Sequence, residues 1–263
     1  IKYGGNAMTN EELKNCVMSD LVLLSLVGIK VVLVHGGGPE INEMLKKLNI
    51  ESKFISGLRY TGADTINVVK MVLSGKVNKE LVQLIHMHNG KALGICGIDG
   101  DMLKAQRAYG ANGEDLGYVG KITSVNSQPI LDALEKGYIP VIATVATDNE
   151  GNTYNINADT VAAGIAGRLK AESLISMTDI AGILRDKDDP TTLISKIFVE
   201  DAPKLMDDGI ISGGMIPKVQ CCVDAINLGV RKVFVIDGRI PHSIIIEVLT
   251  DEGIGTMFVK DDE

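Results

Sequence analysis

The sequence predicts an α/β protein, a three-layer αβα sandwich around a mostly parallel central sheet. Three observations support this. Short β-branched runs alternate with helical patterns along all 263 residues. Glycine-bearing turns join them. Strand segments such as Ile139–Ala143 are apolar throughout, as strands covered on both faces must be.

The elements follow in order. Lys2 ends a first strand before Gly4-Gly5. Thr9-Asn10-Glu11-Glu12 reads as a capping box opening a helix to about Val27. Ile29–Val34 is a buried strand, followed by Gly36-Gly37-Gly38 and a helix from Pro39 to Leu48. Asp64–Asn89 has helical period, with Gly75 as a break and Gly90 as the stop. Ala92–Cys96 is a strand, Leu103–Val119 a hairpin excursion, Ile130–Lys136 a helix ended by Gly137, and Ile139–Ala143 a strand. The second half repeats the theme with helix Ala158–Leu169, strand Ser173–Ser176 and helices Val199–Asp208 and Met215–Leu228. Strand Lys232–Ile236, helix Ser243–Thr250 and strand Thr256–Val259 complete it. No Pro/Ser-rich linker divides the chain. It reads as a single domain over 1–263, with an N-terminal lobe of about 1–170 and a C-terminal lobe of about 171–263.

Composition narrows function. A net charge of −8 repels nucleic acid and anionic membrane, so neither is an expected partner. With no Trp and four Phe, there is little material for base stacking or a membrane-interface belt. The apolar run Leu21–Ile29 is too short to span a bilayer. No secretory signal is present, and Cys16, Cys96, Cys221 and Cys222 lack metal-binding spacing, so a reducing, cytoplasmic setting is expected. The chain begins at Ile1 rather than Met, so a native N-terminal piece is expected to precede it.

The glycine run in "VVLVHGGGPEINEML" is the first chemical signal. It lacks the Gly-Lys-Ser/Thr ending of a Walker A loop and the spacing of a dinucleotide fingerprint. A tight turn would need one or two glycines; three before a helix present bare backbone N–H groups and a partial positive charge, which suits an anion. Three further stretches add polar groups. "IKYGGNAM" carries Lys2, which alone reads as a surface lysine before a turn. "YNINADTVAAGIAGRL" carries Asn155, Asn157 and Asp159 at alternate positions, more than capping requires. "IISGGMIPKVQCCVDAI" sets Lys218 just after Gly213-Gly214, as a lysine reaching a phosphate would be placed.

Taken in order, "KYGG", "HGGGPEI", "GLRYT", "NINADTVA", "SMTDIAGIL" and "GGMIPK" resemble the amino acid kinase family over nearly the whole chain. "GLRYT" directs the resemblance to the branch acting on N-acetyl-L-glutamate. The resemblance implies phosphoryl transfer from ATP, with Mg²⁺, to the γ-carboxylate of that acceptor in arginine biosynthesis. It implies Lys2 and Lys218 as transition-state lysines and Asp159 as the residue organising them. Gly37 and Gly38 would hold the acceptor through backbone N–H groups, Arg59 its α-carboxylate, and Asn155 would hydrogen-bond it. Gly4 and Gly5, the run Thr178, Asp179, Ile180, Ala181, Gly182, Ile183 and Leu184, and Ile210, Ile211 and Ser212 would lie against the nucleotide. No protein metal cluster is implied. A homodimer is expected, or a hexamer built as a trimer of dimers for the complete protein. The tail "DEGIGTMF" resembles an arginine-inhibited branch, and a PII-type regulator occurs in some relatives. Two alternatives stand: a relative acting on free glutamate or aspartate, and a non-catalytic amino-acid sensor.

The residue types suit the chemistry. A carboxylate acceptor with an intrinsic pKa of roughly 4.3 needs no general base at neutral pH. The barrier is the approach of one anion to another, so positioning and charge neutralisation dominate.

Overall fold

The computed structural model describes residues 1–55, 57–250 and 253–261. Asp251 and Glu252, which open the "DEGIGTMF" stretch, lie outside the described residues. The fold is mixed α/β with mostly parallel strand pairing, as the alternating pattern predicts. Its contacts separate two units, one made of Ile1–Asp20 with Ala162–Glu263, the other of Leu21–Val161. A division near residue 170 does not describe this, because the first twenty residues group with the C-terminal part. The cause is strand pairing: Lys2–Tyr3 lies parallel to Ser173–Thr178, with Lys2 opposite Ser176. Both boundaries fall inside helices, Glu11–Leu26 and Ala158–Leu169, so no linker composition marks them.

In the first unit the strands run in the order Lys196–Phe198, Thr256–Val259, Lys232–Asp237, Ser173–Thr178 and Lys2–Tyr3. All neighbours are parallel except Thr256–Val259 against Lys232–Asp237. Helix Met215–Asn227 packs on this sheet and buries Val219, Cys222, Ala225 and Ile226, the spacing of a single helical face. The sequence suggests one helix over Val199–Asp208; the chain instead makes a short 3₁₀ turn, Val199–Asp201, before helix Ala202–Asp207, which starts with Pro203 in its first turn.

In the second unit Leu33–His35, Ile139–Ala143 and Ala92–Cys96 form a parallel sheet, and every residue of the central strand is buried. The first strand is shorter than Ile29–Val34. Gly28, at φ +93°, closes the preceding helix: its N–H reaches Ser25 O at 3.1 Å while Ile29 N–H reaches Leu24 O at 3.0 Å. Ile29 therefore spends its N–H on the helix end rather than on a sheet. That helix opens with Asn10, whose Oδ1 accepts the Leu13 N–H at 3.0 Å, so Asn10 rather than Thr9 is the cap.

Gly75 is no break. Helices Ala63–Lys70 and Asn78–Met87 are joined through a wide π-helical segment, Met71–Val77, with Gly75 on its exposed side. The wider turn brings Leu73, Val77 and Asn78 all to the buried side, which a uniform 3.6-residue period would not. The excursion after Leu103 is a true antiparallel pair, Leu103–Tyr109 with Asp115–Val125. It closes into a four-stranded barrel with Val145–Thr147 and Thr153–Asn155, two strands too short to leave a pattern. A two-residue hairpin, Phe54–Ile55 with Leu58–Arg59, precedes the long helical stretch.

Candidate active site

The glycine loop sits at the carboxyl end of Leu33–His35, where parallel α/β sheets place their ligands. Two of its glycines, Gly37 and Gly38, differ in why they are glycine. A Cβ on Gly37 would stand 2.7 Å from Leu73 Cδ2 and 3.2 Å from Val77 Cγ2, so helix packing excludes a side chain there. A Cβ on Gly38 would meet nothing within 4 Å. Packing thus explains Gly37 and leaves Gly38 as open wall. Gly37 O accepts the Ile41 N–H at 3.0 Å, while the N–H groups of Gly37 and Gly38 have no acceptor among the described residues. They open the helix Gly38–Lys47, whose dipole adds positive potential at this end.

These glycines line a cavity of about 200 Å³ together with Arg59, Asn155 and Asn157. Arg59 is 8% exposed, and burial holds its guanidinium below the usual arginine range. Its Nη1 donates to Asn42 Oδ1 at 2.7 Å and to Ser52 Oγ at 2.5 Å, its Nη2 to Gly38 O at 3.3 Å, and its Cζ lies 4.8 Å from the Phe54 ring centroid. None of these partners is anionic, and no carboxylate pairs with it among the described residues. A buried cation without a counter-ion is an expensive arrangement unless a ligand supplies the anion.

Asn155 donates through Nδ2 to Thr61 Oγ1 at 3.2 Å, which fixes its amide at the cavity wall. Asn157 has a second duty: its Oδ1 accepts the N–H groups of Asp159 at 2.8 Å and Thr160 at 3.3 Å, capping the helix Ala158–Leu169. Asp159 stands in the first turn of that helix and does not line the cavity.

His35, fully buried, anchors the loop from behind. Its Nδ1 lies 2.8 Å from Gly36 O and its Nε2 3.1 Å from Asn78 Nδ2. Burial depresses its pKa to about 4, opposed by the Gly36 hydrogen bond and aided by the charge of Lys79. The ring is therefore neutral at physiological pH.

The other unit gathers a second set. Lys2 is 6% exposed, its Nζ donates to Met177 O at 3.4 Å, and it lies along Gly4, where a Cβ would stand 3.6 Å from Nζ. Gly5, at φ +74°, faces Asp179 so closely that a Cβ would be 2.9 Å from Oδ1. Thr178 is locked by its hydroxyl, which donates to Ile236 O at 3.2 Å and accepts the Ile180 N–H at 3.3 Å. Gly182 and Ile183 are buried, Ile183 N–H donating to Thr256 Oγ1 at 2.8 Å, so they serve packing as well as any ligand. Ala181 and Leu184 are half-buried and Ile180 is exposed. Lys218 is half-buried on the first turns of helix Met215–Asn227, after Gly213 at φ +55°. Ile211 is buried and Ser212 exposed, while Ile210 lines a separate cavity of about 250 Å³ with Ile194, Ile197 and Leu205.

Sequence reasoning missed two residues here. Asp237 ends the strand Lys232–Asp237, and Arg239 binds it through a fork, Nε to Oδ1 at 2.9 Å and Nη2 to Oδ2 at 2.7 Å. Burial works against the charge on Asp237, yet the Arg239 side chain and N–H hold its pKa below the usual carboxylate value. Asp179 adds to the field on Arg239. The available signal was "FVIDGRI", a charged pair at the carboxyl end of a parallel strand.

A family model described as the amino acid kinase family matches residues 1–237. The chain is 59% identical to an acetylglutamate kinase of Brachyspira hyodysenteriae, covering 99% of this chain and 90% of the relative. It is 54% identical to an acetylglutamate kinase of Clostridioides difficile, covering 100% and 91%. Among solved structures it superposes on smu.665 from Streptococcus mutans with a TM-score of 0.79 at 28% identity, over 99% and 97% of the two chains. The fold alone extends to a carbamate kinase from Giardia lamblia bound to AMP-PNP, with a TM-score of 0.70 at 15% identity over 99% and 97% of the chains. With the glycine loop, the buried arginine and these matches in hand, the chain belongs to the amino acid kinase family.

Proposed function

We propose that this protein transfers the γ-phosphoryl group of ATP to the γ-carboxylate of N-acetyl-L-glutamate, the phosphorylation step of arginine biosynthesis. The observation that carries the reading is the cavity in which a buried, unpaired guanidinium, that of Arg59, adjoins the acceptor-free N–H groups of Gly37 and Gly38. It suits a small molecule with two carboxylates, one for each anion-seeking feature. The relatives at 51–59% identity are acetylglutamate kinases, which favours the acetylated acceptor over free glutamate or aspartate.

In this reading Arg59 takes the α-carboxylate and the Gly37 and Gly38 N–H groups the reacting end, with Asn155 hydrogen-bonding the body of the acceptor. A γ-carboxylate oxygen attacks the γ-phosphorus, the bond from that phosphorus to the β,γ-bridging oxygen breaks, and ADP leaves. No proton moves, which agrees with a neutral, buried His35 that offers no base. Lys2 and Lys218 neutralise the charge on the transferring group, and Asp159 holds ammonium charge in place. Gly4, Gly5, Asp179 and the residues to Leu184 serve the nucleotide, as do Ile210–Ser212. Mg²⁺ prefers phosphate oxygens and water, so the metal would be delivered on the nucleotide.

An initial-rate assay of ADP release with MgATP tests the proposal. N-acetyl-L-glutamate should support turnover, while free glutamate, aspartate and no acceptor should not. Turnover with free glutamate alone would move the assignment to another acceptor, and none with any acceptor would leave a sensor. An arginine arm in the same assay tests feedback inhibition.

A further inference from the structure

We propose that His35 and Asn78 are positioning residues that set the glycine loop for its acceptor, acting through a one-way hydrogen-bond chain from Lys79 to the Gly36 carbonyl. The inference rests on the reading of the loop as the acceptor site.

Each link has a fixed direction. Lys79 Nζ, which can only donate, reaches Asn78 Oδ1 at 2.9 Å and Gly94 O at 2.8 Å. That places the Asn78 NH₂ on the other side, where Nδ2 lies 2.8 Å from Val141 O, 3.1 Å from His35 Nε2 and 3.3 Å from Ile95 O. Val141 O can only accept, so the amide orientation is settled twice. Gly36 O, 2.8 Å from His35 Nδ1, can only accept, so the ring proton sits on Nδ1 and Nε2 faces the Asn78 NH₂ as an acceptor. Turning the amide or moving the ring proton would break at least two bonds inside a region where His35 and Asn78 are both 0% exposed.

The consequence falls on the loop. Gly36 O and the Gly37 N–H belong to one planar trans peptide, so they point in opposite directions. Holding the carbonyl against His35 turns the Gly37 N–H away from it, and that N–H has no acceptor among the described residues. The π-helical segment supports the device from the same helix, pressing Leu73 and Val77 onto Gly37 and delivering Asn78 to His35. Gly94 leaves the room that Asn78 occupies, since a Cβ there would collide with Asn78 Oδ1.

Two measurements test this. The first is ¹⁵N NMR of the ligand-free wild-type protein near pH 7, where His35 should be a neutral ring protonated at Nδ1. Protonation at Nε2, or an imidazolium, overturns the chain. The second compares His35→Asn, whose amide stands near the Nδ1 position and can still donate to Gly36 O, with His35→Gln, whose amide reaches toward Asn78 instead. The Gln variant should raise KM for the acetylated acceptor about tenfold with KM for ATP unchanged. The Asn variant, which keeps the Gly36 bond and loses the one to Asn78, should raise the same KM by less, about threefold. Equal losses in both variants, or parallel rises in both KM values, contradict a positioning role. If wild type does not turn over the acetylated acceptor, the proposed function fails, and the tautomer measurement still judges the chain by itself.

Discussion

Arg59 stands with its Cζ 4.8 Å from the centroid of Phe54, two residues that face each other across the hairpin pairing Phe54 with Arg59. The ring covers one side of the guanidinium, and Asn42, Ser52 and Gly38 hold its N–H groups, so the fork is immobilised before any ligand arrives. A lysine would keep the charge but lose the planar, two-pronged donor set and its contact with Phe54. Arg59→Lys should raise KM for the acetylated acceptor by roughly ten- to a hundredfold while KM for ATP stays near its wild-type value. Equal changes in both constants would remove Arg59 from the acceptor.

Lys2 and Lys218 answer a different question. Both belong to the unit formed by Ile1–Asp20 and Ala162–Glu263. As transition-state donors, each should cost about a hundred- to a thousandfold in kcat when replaced by alanine, with smaller changes in either KM. Near-normal turnover in either variant would withdraw that lysine from catalysis.

Asp159→Asn separates holding charge from moving a proton. A carboxylate that organises ammonium groups lowers kcat when neutralised but leaves the shape of the pH–rate profile unchanged. Loss of a limb of that profile would instead make Asp159 a general base.

Gly5→Ala should weaken ATP binding and spare the acceptor. The added Cβ meets Asp179 Oδ1 at 2.9 Å and the backbone holds φ +74°, so either the turn or the carboxylate must move. KM for ATP, followed alongside KM for the acceptor, reads this directly; a selective rise in acceptor KM would place Gly5 elsewhere.

His35 also sets an acid limit on stability. Its folded pKa of about 4 lies below the ordinary histidine value near 6.5, so the unfolded chain binds the proton more readily between the two. This contribution is intact above about pH 6.5 and is lost as pH falls toward about 4, amounting to a few kcal/mol at the acid end. Urea unfolding of wild type and His35→Asn across that window should show a shallower acid loss in the variant. Identical slopes would mean that His35 is not buried neutral.

Much of this was legible in the sequence, for physical reasons. Ala92–Cys96, Ile139–Ala143 and Ala158–Leu169 have the predicted limits because their periodicity is unbroken and their ends carry turn residues. Arg59 and the glycine loop were legible as motifs, and the cavity brings Gly37, Gly38, Arg59 and Asn155 together. The barrel was not, because three-residue strands such as Val145–Thr147 are specified by their partners rather than by local pattern. Nor was the π-helical segment, since one widened turn scarcely disturbs a helical period while it redirects Asn78. The Asp237–Arg239 fork escaped notice because a charged pair two residues apart reads as a solvated turn until the strand end is located.

The most direct test of the central claim follows an oxygen atom. N-acetyl-L-glutamate labelled with ¹⁸O in its γ-carboxylate is incubated with MgATP and enzyme, and the product is cleaved with hydroxylamine, which attacks the acyl carbon. The released phosphate should carry one ¹⁸O, because the bridging oxygen came from the carboxylate. Unlabelled phosphate would mean that water, not the acceptor, attacks ATP, and would contradict the account.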